Sequence, residues 1–100
     1  MLAGTPLIIA VIAAASPVGA DCRYEGIALQ GRVKEVTSFP DIRVQIVRSF
    51  PDIRVQRVTS FPDACGRWQF VDSFPDFTIQ YVESFPDIRV EYVTSFPGIR

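Results

Sequence analysis

The side chains that could do chemistry here are few in kind and evenly spaced. There are two cysteines, Cys22 and Cys65, and no histidine. Aspartate follows each of five prolines, at Asp41, Asp52, Asp63, Asp76 and Asp87. Catalysis needs a positioned acid, base, nucleophile or metal. Without histidine the commonest base and metal ligand is missing. Two cysteines alone do not make a zinc site. The aspartates recur at intervals instead of converging, the serines lack a partner base, and no Gly-rich phosphate loop occurs. The expectation is a protein that is not an enzyme, with no catalytic residues, no metal and no cofactor.

What remains is binding chemistry. Arg43, Gln45, Arg54, Gln56, Arg67, Gln69 and Arg89, with Arg32, Lys34, Gln80 and Glu91, fall on one side of alternating segments. Such a face could recognise an anionic or sugar ligand, or it could simply be the solvated side of a small sheet protein. An ice-binding ladder does not fit, because Thr37, Thr59 and Thr94 fall in corners and not on this face. Net charge is close to zero, with ten basic and eleven acidic residues. This argues against nucleic acid or an anionic membrane as a partner.

These residues are carried by a repeat. Ser-Phe-Pro recurs with Phe39, Phe50, Phe61, Phe74, Phe85 and Phe96, eleven residues apart except for thirteen across Ala64-Cys65. A valine stands three residues before each Phe. Between corners, Ile42-Arg43-Val44-Gln45-Ile46-Val47 alternates apolar and polar, the signature of a strand with one buried face, and the pattern recurs in Ile53 to Val58, Gly66 to Val71, Phe77 to Val82 and Ile88 to Val93. Ile42, Val44 and Ile46 are expected to point into a core. Proline has no N–H to donate, so Ser-Phe-Pro-Asp must be a corner, with Asp accepting from nearby backbone N–H groups. The six Phe residues are expected to be buried corner hydrophobes closing the core. Counting Gly31–Val36 first and Gly98–Arg100 last gives seven short edges joined by six corners. A closed barrel or a small β-solenoid would satisfy the period.

Residues 1–20 look like a signal peptide. Leu7 to Ala15 is a short apolar run, Pro17 breaks it, and Val18-Gly19-Ala20 suits cleavage before Asp21. Met1 to Pro6 lacks Lys and Arg, and an uncleaved anchor is the rival reading. Residues 21–100 then form one exported domain, periplasmic or extracellular, with no stable membrane insertion after cleavage. A domain of that size is marginal without a staple. Export favours a Cys22–Cys65 disulfide; two free thiols are the alternative. Asp21 to Trp68 carries eight basic and six acidic residues, and Gln69 to Arg100 two and five. Lys34 and Glu91 replace the Gln of the other units, which suggests that the first and sixth units meet.

The unit V-x-S-F-P-D-I-R-V-Q, with one copy interrupted at Ala64-Cys65, resembles the septoil-knot family of bacteria. The resemblance spans Gly31 to Arg100. It implies an all-β fold of seven short strands in a closed, pseudo-cyclic, knotted arrangement. It implies no activity and no site residues. The function expected is a rigid exported structural or binding domain of unknown ligand. Alternatives are a cell-wall or glycan-binding module using the Arg/Gln face, or a secreted toxin or inhibitor. Partner and oligomeric state are not encoded legibly.

Overall fold

A computed structural model describes residues 16–99. Two short strands, β1 (Arg23–Tyr24) and β2 (Ile27–Ala28), form an antiparallel hairpin. Six more form a closed barrel: β3 (Gly31–Glu35), β4 (Ile42–Ile46), β5 (Ile53–Arg57), β6 (Arg67–Phe70), β7 (Phe77–Tyr81) and β8 (Ile88–Tyr92). Every barrel pairing is parallel. The order around the barrel is β3-β6-β5-β8-β4-β7. Strands from the first half of the chain therefore alternate with strands from the second.

Each strand divides its pairing between two neighbours. In β4, Ile42–Val44 lies beside Ile79–Tyr81, and Val44–Ile46 lies beside Ile88–Val90. We number each unit from the residue after the corner aspartate, so that Ile42 is position 1 and Asp52 position 11. Side chains alternate across a strand, and positions 1 and 3 point inward. Position 3 gives one layer of fully buried side chains: Val33, Val44, Val55, Trp68, Ile79 and Val90. Position 1 gives a second, from Ile42, Ile53, Phe77 and Ile88. Units one and four carry Gly31 and Gly66 there, both at positive φ. A side chain on Gly31 would run into the Asp76 carboxylate. Trp68 occupies interior space beside these glycines, edge-on to Phe77 with centroids 5.4 Å apart. Its indole N–H donates to the Leu29 carbonyl at 3.1 Å.

Two inward expectations need correction. Ile46, at position 5, is 54 % exposed. The core is only two layers deep, so position 5 emerges at the barrel's end. The corner phenylalanines Phe39, Phe50, Phe61, Phe74, Phe85 and Phe96 are not buried; they are 75–97 % exposed. The cause is the path of the connections. All strands run parallel, so each connection must return outside the barrel from the end of one strand to the start of the next.

Five connections arch over a strand and are pinned to both of its edges. The arch from β4 to β5 is one example. Its Val47 N–H donates to Val90 O at 2.9 Å, and its Asp52 N–H to Arg89 O at 2.8 Å. Successive carbonyls of a strand face opposite edges, so β8 passes beneath this arch. In the same way Val71 and Asp76 straddle β3, Val82 and Asp87 straddle β4, and Val93 and Gly98 straddle β5; Val36 and Asp41 straddle β7, with the Asp41 N–H donating to the Thr78 hydroxyl instead of a carbonyl. The corner carboxylate bonds the crossed strand and not its own turn. Asp87 accepts from Arg43 N–H at 2.7 Å, and Asp76, Asp52 and Asp41 accept from Arg32, Arg89 and Thr78. Phe sits at the apex of the arch in the left-handed region, at φ of 52–56° in all six copies. Reversal over a strand explains the positive φ; nothing in the structure explains why the apex residue is Phe.

Crossing one strand at every step moves the chain two places around the barrel. The step from β5 to β6 moves only one place among the six strands. Gly98 enters there, exchanging backbone bonds with Arg54 at 2.8 and 3.0 Å. The seventh edge is thus a single bridge and not a strand. With it, the ring has seven places and every step is two. The chain makes six such steps, and a seventh from Gly98 back to β3 would complete two circuits, the path of a seven-crossing torus knot. The ring closes, but Lys34 and Glu91 do not meet, because β3 and β8 lie on opposite sides of it. Glu91 instead pairs with Arg54 at 3.3 Å.

The end where the strands begin is covered by the segment preceding the barrel. Leu29 is fully buried there, and its carbonyl also accepts from Gly66 N–H. Cys22 and Cys65 form a disulfide, so the insertion that breaks the eleven-residue period anchors this cover. Val18 packs into the core at 6 % exposure. Residues 1–15, most of the apolar leader, lie outside the described residues. No helix among the described residues is long and apolar enough to cross a membrane.

Candidate functional site at the open rim of the barrel

Among the described residues, no segment covers the opposite end. Position 5 of all six strands converges there: Glu35, Phe70, Arg57, Tyr92, Ile46 and Tyr81 in order around the ring. Three aromatics from the second half alternate with Glu, Arg and Ile from the first. This follows from the interleaving of the halves.

The rim side chains hold one another. The Arg57 guanidinium lies 4.6 Å from the Phe70 ring centroid and 4.5 Å from that of Tyr92. Such cation–π contacts fix a planar cation in orientation. Arg57 Nη2 donates to Tyr81 Oη at 3.4 Å. Tyr81 donates to Glu35 Oε2 at 3.1 Å, and its hydroxyl is 2.6 Å from that of Tyr92. Tyr81 has one proton, given to Glu35, so Tyr92 donates to Tyr81. Burial, then the bond to Tyr92 and the nearby Glu35 charge, push the Tyr81 phenol far above its ordinary range. Burial also raises Tyr92, partly offset by Tyr81 and Arg57. Both stay protonated through the physiological range. Between Ile46 and Tyr81 opens a cleft of about 480 Å³, lined also by Gln45, Val82 and Glu83.

The Arg/Gln face is arranged differently. Gln45, Gln56 and Gln80 spend their amides on the arches that cross them, donating to the carbonyls of Glu83, Thr94 and Thr37 at 3.0–3.1 Å. Arg54 is engaged by Glu91, and Arg67 lies 4.0 Å from Asp63. Arg43 and Arg89 are exposed, on either side of arches, and Gln69 is half-buried. The arches therefore divide the face into separate strips. Sequence reasoning missed the rim. Its signal was present: position 5 changes chemical class from acid to aliphatic to base to aromatic, while Val at position 6 and Ser-Phe-Pro at 8–10 never change.

A closed barrel of interleaved parallel strands, tied by arches that cross one strand each, defines a small knotted all-β domain. The chain matches the family described as the 7(1) septoil knot domain over residues 26–100, and it belongs to that family. No curated protein matches it.

Proposed function

We propose that this is an exported, non-catalytic recognition domain that presents its position-5 rim to a ligand outside the cytoplasm. One observation carries the reading. The arch positions 6 and 8–10 repeat unchanged, whereas among the strand positions position 5, whose side chains lie outside the two core layers, varies most in chemical class, and its six copies gather at the end that no described segment covers. Preorganised aromatic and Arg side chains are typical of recognition surfaces. The Cys22–Cys65 disulfide is in keeping with an oxidising compartment. On this reading the leader is cleaved before Asp21. Cleavage removes Val18 from the core and leaves Cys22 in place. N-terminal mass analysis of the exported protein should find Asp21 first; a chain retaining residue 1 would reject cleavage. For the rim, retention of the purified protein on cell-envelope material is the assay. Ile46→Glu should abolish retention, and Arg43→Ala should not. The opposite pattern would move binding to the Arg/Gln face.

A further inference from the structure

We infer that the rim is built to take the C-terminal carboxylate of a peptide that ends in an apolar residue, with Arg57 holding the carboxylate and the Ile46–Tyr81 cleft holding the side chain. This deepens the rim reading and rests on it.

Arg57 carries the argument. A guanidinium offers five N–H donors in a rigid fork that matches a carboxylate. Here the fork is held between Phe70 and Tyr92, and one nitrogen reaches Tyr81. No carboxylate among the described residues lies within ion-pair distance of Arg57. Arg57 is nevertheless exposed at the rim, with donors to spare. A cation whose orientation is already fixed loses little freedom on binding an anion.

The apolar requirement has separate support. Among the described residues, Ile46 is the one strand residue among the large hydrophobic side chains left exposed; the others are the six arch phenylalanines. Its cleft is roomy enough for a single aliphatic or aromatic side chain. Tyr81 belongs both to this cleft and to the Arg57 network, so the two subsites adjoin. The acids are part of the design. Glu83 lines the cleft and Glu35 stands behind Tyr81. They repel a ligand that is anionic along its length, and they accept from a backbone N–H. A lone terminal carboxylate followed inward by peptide N–H groups satisfies both, and capture of chain termini is a known recognition mode.

The probes are N-acetyl-Ala-Phe as the free acid and as its C-terminal amide, titrated into the purified protein while the backbone amides of Arg57, Tyr81 and Tyr92 are followed by NMR. The free acid should bind at least about tenfold tighter than the amide, because only the acid engages the fork. Arg57→Gln should erase that preference while the melting temperature stays within a few degrees. Arg57→Lys should keep only part of it. Equal affinity for acid and amide, or a preference that survives in Arg57→Gln, would overturn the carboxylate assignment. If neither peptide shifts a rim amide while Ile46→Glu still abolishes envelope retention, the carboxylate assignment falls and the rim reading stands. If retention too is indifferent to the rim, both fall.

Discussion

The arch phenylalanine illustrates how a residue type can mislead. A bulky apolar side chain beside proline in every unit reads as core, yet the apex of an arch has nothing above it to pack against. Phe50→Ala should therefore change stability by less than about 1 kcal/mol, where a buried Phe would cost about 3–5 kcal/mol; a thermal melt separates the two. A non-glycine residue in the left-handed region costs about 1–2 kcal/mol, and glycine tolerates it. Phe50→Gly should accordingly melt no lower than Phe50→Ala. The rim tyrosines give a second expectation at this scale. The folded state raises the phenols of Tyr81 and Tyr92 above the ordinary value of 10.0. Their contribution to stability is complete below that pH and is lost as pH climbs above it, because the unfolded chain then releases the protons first. Tyrosinate absorbance should rise together with unfolding in alkali. A rim titrating near pH 10 in the folded protein would contradict the hydroxyl network.

At the scale of the element, each strand was legible and its partners were not. Period-two alternation and the corner chemistry located all six barrel strands to within a residue, and the seventh edge at Gly98 survives as a bridge. The alternation points positions 1 and 3 inward, and there they lie. It points position 5 inward too, where Ile46 is exposed, since periodicity says which way a side chain points but not where the barrel ends. The local chemistry of the corner aspartate suffices for a turn. Its actual partner lies 37 to 44 residues away, a distance no local pattern conveys. Asp87→Ala should remove the charge-assisted bond to Arg43 N–H and cost about 1–3 kcal/mol, measurable by denaturant titration. Mutating an aspartate that only shaped its own turn would cost less. Reducing the disulfide, which spans 43 residues of sequence, should cost about 4 kcal/mol on the chain-entropy account. A reduced protein that melts like the oxidised one would show that the cover is held without it.

For the whole molecule, the decisive feature is that no barrel strand pairs with another from its own half of the chain. A cut engineered between Asp63 and Ala64, both exposed, would abolish the knot while keeping every strand pair and both cysteines. The nicked protein should retain its sheet spectrum, with its halves joined through Cys22–Cys65. It should unfold much faster than the intact chain in a denaturant jump, since neither half need thread through the other. Equal unfolding rates would mean that the knot adds nothing to kinetic stability. The same interleaving governs the order of events at the ribosome. Residues up to Asp63 emerge carrying β3, β4 and β5, and these three strands have no partner among themselves. No barrel ladder can form until β6 and the strands after it have been made. If the chain is exported as proposed, and so passes a narrow membrane pore while still extended, its own wiring holds it back from premature folding, with the last third of the message acting as the timer.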